Sequence, residues 1–339
     1  MSGQISPKTA DPDRRSFLQE VIAVFRNADY HLSEQTIRCA GFDFFAEKQG
    51  DLVVTKACTT LDSFKYGHGM ELRLISDVVS ASPVIVANKK LNDDAVYNRH
   101  GIPGINLTTL TRLLHHGLLP HIISRRGGFY HQIRGEEIPD DEVVLEKIAR
   151  EVGITGKTLR YWKEGKSLPS PDRLKLLARA LDKRKSELIR PVNPLDRRNS
   201  VETSNSEDNE KYFRPRDSLQ RHVGDLLQEM DIQAKWFQST PFDAICTGNV
   251  ASGSAIIPLV AGTGTETRES RKRIKTTANI LKIIHKSGIW ISEANEYSND
   301  SIIPVMSVSE LEKIKKHSQF EKTIKEKQRK HVKKIKRVS

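Results

Sequence analysis

The chain has 339 residues, 37% hydrophobic and 29% charged side chains, and a formal net charge of +12, which allows two or three packed domains and suggests a polyanionic partner. No stretch approaches the roughly 18 uninterrupted apolar residues of a membrane span, and the opening MSGQISPKTADPDRR lacks the apolar core of an export signal, so neither membrane residence nor secretion is expected. Cys39, Cys58 and Cys246 are odd in number and never spaced as C-x-x-C, which reads as reduced interior thiols in a cytoplasmic protein.

Residues 1–13 are polar and aperiodic, the composition of a disordered N-terminus. Residues 14–134 alternate strand and helix patterns: LVVTKAC at 52–58 and PVIVA at 83–87 read as strands, and ELRLISDVVS at 71–80 as a helix. Such alternation predicts an α/β domain with a mixed or parallel sheet. Asp43 on one strand and Lys56 ending the next resemble a worn restriction-endonuclease-like motif. In that superfamily an Asp, and an acid two residues before the Lys, hold Mg²⁺ and position water. Val54 occupies the acid's place, and one carboxylate with a lysine is a poor seat for a hard cation. The expectation is a nuclease-like scaffold without catalysis, metal or cofactor. His115, His116 and His121 crowd a helix end without metal-site spacing and read as solvated or capping residues.

The block at 136–190 is the most specific. From Glu142 to Arg190 it carries 13 lysines and arginines against seven acids. Val144, Ile148 and Val152 recur at helical spacing. Gly153 suits the turn after that helix, and Thr155 suits the N-cap of the next. Ala149 is small where two helices must approach closely. Ile154, Leu159 and Trp162 supply buried anchors. Together they make the packing code of a helix-turn-helix at 145–164. Gly165 ends the second helix, Ser170-Pro171 opens another, and Leu174, Leu177 and Leu181 close the small core.

Residues 143–190, including the EGKSLPS turn from Glu164 to Ser170, resemble the Cro/CI-type, lambda repressor-like domain. That resemblance implies a five-helix all-α domain that binds double-stranded DNA, commonly as a homodimer on palindromic sites. By position it places Gly156, Lys157, Thr158, Arg160 and Tyr161 on the base-reading face and gives phosphate contacts to Thr155, Lys163 and Lys166. Gly156 departs from the pattern, so readout would lean on Lys157 and Arg160, either of which can donate to guanine. The order of blocks, with RRGGFYHQIRGEEI (Arg125 to Ile138) leading into the helices, further resembles a family of archaeal transcriptional regulators.

Residues 191–216, rich in Pro, Ser, Asn and acids, read as a linker. The block at 217–318 answers the first one. Pro241-Phe242-Asp243 stands for Gly41-Phe42-Asp43, and Pro304 in IIPVMSVSELEKI stands for Pro103 in GIPGINLTTLTRL. AIIPLVA at 255–261, RIKTTANILKIIHK at 273–286 and GIWIS at 288–292 repeat the strand, helix, strand order. The second block keeps an Asp but neither the acid nor the Lys of the motif. GTGTE, Gly262 to Glu266, lacks P-loop and Rossmann spacing and reads as a loop. Residues 319–339 form a basic tail, and from Lys313 to Ser339 there are 12 lysines and arginines against two acids.

The sequence therefore predicts a multi-domain α/β protein in which two restriction-endonuclease-like domains flank an all-α helix-turn-helix domain, with no enzymatic role. The expected partner is duplex DNA, with a homodimer in prospect, no membrane contact and the effector unspecified. A nuclease or resolvase and an RNA- or ribosome-binding module are the rival readings.

Overall fold

The computed structural model of the chain describes residues 12–34, 41–197, 212–248, 259–263, 267–293 and 303–338. In chain order these form α1 (Pro12–Asn27), β1 (His31–Leu32), β2 (Phe44–Lys48), β3 (Asp51–Thr60), α2 (Tyr66–Val79), β4 (Ser82–Lys89), β5 (Ala95–Arg99), β6 (Ile102–Asn106), α3 (Leu107–His116), β7 (Ile122–Arg125) and β8 (Gly128–Tyr130). A 3-10 turn at Gly135–Glu137 precedes α4 (Glu142–Val152), α5 (Gly156–Lys163), α6 (Pro171–Ala180) and α7 (Lys185–Leu188). The remainder comprises α8 (Ser218–Gln228), β9 (Ile232–Trp236), β10 (Ala244–Gly248), β11 (Leu259–Thr263), α9 (Arg268–Ile283), β12 (Gly288–Ser292), β13 (Val305–Ser307), α10 (Val308–Leu311) and α11 (His317–Val338). Described residues within 1–28, 57–64 and 82–201 make one compact unit, and those within 29–56, 65–81 and 202–339 the other.

In the first unit, β4, β6, β5, β7 and β8 are neighbours in that order. β4 pairs parallel to β6, β6 antiparallel to β5, β5 parallel to β7, and β7 antiparallel to β8. β4 carries an uninterrupted buried run from Pro83 to Ala87, as a strand covered on both faces requires. Asn106 caps α3 by accepting from the Thr109 amide at 2.8 Å. The helices α4 to α7 share a separate small core that includes Ile133, Leu145, Ala149, Leu159, Trp162 and Leu177. Four helices stand where five are expected. The remaining side is closed by extended chain, through an Ile133–Ile189 bridge and an Arg134 amide donating to Leu188 O at 2.8 Å.

In the second unit β2 pairs antiparallel with both β1 and β3. The later residues form a sheet of order β13-β12-β11-β10-β9. Pairing senses agree at three places: β9–β10 and β10–β11 are antiparallel like β1–β2 and β2–β3, and β12–β13 is parallel like β4–β6.

Several expectations shift. Pro12 and Asp13 already belong to α1, while 1–11 lie outside the described residues, as do Cys39 and 198–211 of the linker. Gly262 and Thr263 end β11 rather than a loop, and 264–266 and 255–258 lie outside the described residues. The basic tail is helical. α11 is a helix of 22 residues whose Phe320 and Ile324 are buried in the core with Val223, Trp236 and Met306. An i, i+4 apolar pair inside a cationic run is enough to seat a helix. Cys246 is buried and free, with its thiol pushed up to about 12 by burial.

One carboxylate in the second unit is buried without full compensation. Glu71, 3% exposed on α2, accepts the Gln238 amide at 2.6 Å and the Ser239 amide at 3.2 Å, while its Oε2 has no partner among the described residues. Burial pushes its pKa above the usual carboxylate range despite those amides. A raised acid pKa means the folded state holds the proton more tightly than the unfolded state. Its contribution to stability is therefore present below the ordinary carboxylate pKa and lost as pH rises through the raised value. Urea unfolding from acid to neutral pH is expected to show that loss in the parent chain and a flatter profile in Glu71→Gln.

Candidate nucleic-acid interface

α4 begins at Asp141, whose carboxylate accepts the Val144 amide at 2.9 Å, and buries Leu145, Ile148, Ala149 and Val152. It ends at Gly153, at φ +69°, a left-handed conformation that side-chain-bearing residues avoid. The turn is fastened by the Ile154 amide donating to Ala149 O at 2.9 Å and by the Arg173 guanidinium donating to Val152 O. Thr155 then caps α5, its hydroxyl accepting the Thr158 amide at 3.2 Å. Leu159 is fully buried and Trp162 is 5% exposed, so the opposite face of α5 is directed away from the helical core.

That outer face is basic and aromatic. Lys157 and Tyr161 are exposed, and Thr158 and Arg160 are half-buried. The ammonium of Lys157 lies 5.5 Å from the centroid of the Tyr161 ring, and that of Lys166 lies 5.7 Å from it, so one ring holds two cations at the surface. Arg160 hydrogen-bonds the Glu142 carboxylate, and Lys166 pairs with Glu164 at 2.6 Å. All four side chains are at least 40% exposed, and exposed pairs of this kind are weak and readily exchanged.

Two expected contacts sit differently. Gly156 is buried at the amino end of α5 against the Glu146 carboxylate and presents no edge outward. Lys163, with its side chain 21% exposed, donates to Ile138 O at 2.9 Å and pairs with Asp140. It ties α5 to the preceding segment instead of standing free for phosphate. The packing anchors Ala149, Gly153, Ile154, Leu159 and Trp162 all line the α4–α5 corner.

The segment before α4 matters more than its sequence suggests. A methyl group at Gly135 would meet Lys163 O, a backbone atom, at 2.0 Å. Only glycine lets the 3-10 turn lie against the end of α5. Glu136 and Glu137 on that turn pair with Arg190 and Lys183 on the far side of the helices. The sequence signal was the unexplained GEE triplet at 135–137.

The nuclease-like positions are not open. Asp43, 2% exposed, receives Lys56 at 3.3 Å, and Val54 between them is fully buried. Asp243, also 2% exposed, pairs with Arg273 from α9, so the second block does keep a cation, supplied by a helix instead of a strand. No cluster of three His, Cys, Asp or Glu suited to a metal occurs among the described residues. His115 reaches Val24 O at 2.9 Å, and His121 stacks on His131 rather than joining His115 and His116. No helix among the described residues is long and apolar enough to cross a membrane.

Comparison with known proteins agrees with this geometry. Residues 14–120 match the PD-(D/E)XK superfamily domain, and residues 145–188 match a helix-turn-helix family. Several archaeal proteins, each named "Putative HTH-type transcriptional regulatory protein", resemble the chain across most of its length. The one from Pyrococcus abyssi is 23% identical over 312 residues, covering 89% of this chain and 94% of the relative. That of Thermococcus kodakarensis is 25% identical over 89% and 93%, and that of Methanococcus maripaludis is 27% identical over 89% and 94%. No solved structure matches at a significant level. The chain thus carries a PD-(D/E)XK-type α/β domain followed by a helix-turn-helix domain, and the archaeal likeness read from the order of its blocks extends across it.

The two glycines beside α5 should respond differently to a methyl group. Gly135→Ala collides with backbone and is expected to cost about 1–3 kcal/mol in thermal or urea unfolding. Gly156→Ala meets only the mobile end of Glu146 and should cost much less.

Proposed function

We propose that the protein is a transcriptional regulator that binds duplex DNA sequence-specifically through α5. The observation that carries this reading is the division of α5 into a buried apolar side, Leu159 and Trp162, and an outer side bearing Lys157, Arg160 and Tyr161. A helix seated this way on a small domain can enter a major groove about 12 Å wide. Lys157 and Arg160 are the donors to base edges. Tyr161 supports Lys157 and Lys166, and Thr155 and Lys166 meet phosphate. The basic helix α11 adds sequence-independent affinity, and two copies of the chain sharing a palindromic site would double the contact.

Sites selected from a random duplex pool provide the test. Arg160→Ala should weaken binding to the selected site by roughly ten- to a hundred-fold and hardly affect random DNA. Equal retention of all sequences by the parent chain would remove the reading.

The presence of a PD-(D/E)XK superfamily domain keeps a nuclease in view as a second reading. We assign that domain a scaffolding role instead. Asp43 is already neutralised by a buried lysine, and Val54 supplies no oxygen for a hard cation that needs several. Incubation with Mg²⁺ should leave linear and branched duplexes intact, and Mg²⁺-dependent cleavage that disappears in Asp43→Ala would establish the enzyme.

A further inference from the structure

The RRGGF stretch has no part in the reading by α5. It forms the tip of the β7–β8 hairpin, with Ser124 opposite Phe129 and Arg125 opposite Gly128, so that Arg126 and Gly127 are the two-residue turn. Gly127, at φ +98°, supplies the left-handed position that such a turn needs. β8 is the last strand of its sheet, and Arg125, Arg126, Gly127, Gly128 and Phe129 are all exposed. Phe129 is held edge-on against Tyr97, with ring centroids 6.4 Å apart, which stiffens the tip.

The base of the hairpin is fastened to the helix-turn-helix. The His131 amide donates to Pro169 O at 3.0 Å, in the loop that follows α5, and the Arg190 amide donates to Gln132 O at 2.8 Å. The ring N–H on Nδ1 of His131 donates to His121 O at 2.9 Å, closing the two strands at their foot, and the rings stack with centroids 5.8 Å apart. Burial lowers the pKa of His131 despite that hydrogen bond, which favours the neutral ring. From His131 to Arg126 is five residues, a reach of about 17 Å along a strand. One turn of B-DNA rises about 34 Å, so half a turn, from a major groove to the flanking backbone and minor groove, is about the same length.

Charge separates this tip from the rest of the domain. Five cations around the helices are answered by acids: Arg160 by Glu142, Lys163 by Asp140, Lys166 by Glu164, Lys183 by Glu137 and Arg190 by Glu136. From His121 to Arg134 there is no Asp or Glu. Arg125 and Arg126 pair with no acid among the described residues.

We infer that the β7–β8 hairpin is a second DNA-contacting element, a wing whose Arg125 and Arg126 bind backbone phosphates beside the groove occupied by α5. The inference rests on the duplex-binding reading and adds a contact that carries no base information. Guanidinium groups suit it because their planar donors match phosphate oxygens.

The experiment compares the parent chain, Arg125→Ala/Arg126→Ala and Arg125→Lys/Arg126→Lys on a selected duplex and on random duplex over a range of salt. Loss of two phosphate contacts should lower the salt slope by about two and weaken both duplexes by a similar factor, roughly ten-fold, with base preference unchanged. The lysine pair keeps both charges and should restore the slope. If the parent selects a site and the alanine pair shows the same affinity and slope, the wing is overturned while the reading by α5 stands. A slope that the lysine pair fails to restore also overturns phosphate contact. If the parent retains no duplex selectively, the reading by α5 falls first and the wing with it.

Discussion

The seating of α5 by Leu159 and Trp162 is the constraint on which the rest of the helical domain depends. Three residues apart on a helix, they lie on one side and enter the same core as Ala149, Ile148 and Leu177. Each large apolar side chain fully buried contributes about 1.5–3 kcal/mol, well above what an exposed ion pair supplies. The apolar contacts therefore fix where α5 lies and which face it turns outward. The polar contacts on that outer face remain free to exchange. Ala149 is part of the same constraint, because a larger residue at the α4–α5 crossing would lift the helix from its seat.

In the α/β blocks the corresponding constraint is a buried aspartate that must have a cation. Asp43 and Asp243 are equally inaccessible, and each would cost several kcal/mol if left alone in an apolar interior. The first block answers with Lys56 from the neighbouring strand and the second with Arg273 from a helix. The charge requirement is met in both blocks, by a residue at a different place in each. Such a pattern fits aspartates that serve packing, and it explains why comparing strands alone left Asp243 without a partner. Beside them, the Gly41 amide donates to Ser239 O at 3.2 Å and the Phe42 and Phe242 rings lie 6.3 Å apart, so the two similar tripeptides meet within one unit.

What the sequence reveals follows from how local each cause is. The corner at Gly153, the cap at Thr155 and the strand GIWIS are set by neighbours within a few residues, and all are legible. Arg273 is thirty residues from Asp243, and Gly135 meets Lys163 across the domain. No spacing rule announces either contact. The tail misleads for another reason. Its composition is that of a solvated cationic stretch, and Phe320 and Ile324 are too few to shift an average, yet two well-placed apolar side chains outweigh many lysines that can remain in water. Among the site residues, the inward ones are readable because apolar spacing encodes burial. The outward ones are readable only as candidates, since Lys163 and Arg160 look equally free in a sequence, yet Lys163 donates to the backbone at Ile138 O while Arg160 meets an exposed carboxylate.

The acids around α5 bear on specificity as much as on folding. Glu142 and Glu164 already occupy Arg160 and Lys166, so DNA bound as proposed would have to displace them. In the proposed reading a cognate site would repay that displacement with base-edge hydrogen bonds to Arg160, whereas a random sequence would offer only phosphate in exchange for carboxylate. Discrimination is a difference between two affinities, and a competitor that penalises the wrong partner increases it as effectively as an added contact to the right one. The same logic favours cations that no acid shields as the source of sequence-independent attraction. A chain with net charge +12 can therefore hold part of its proposed base-reading face against acids and still be drawn to a polyanion.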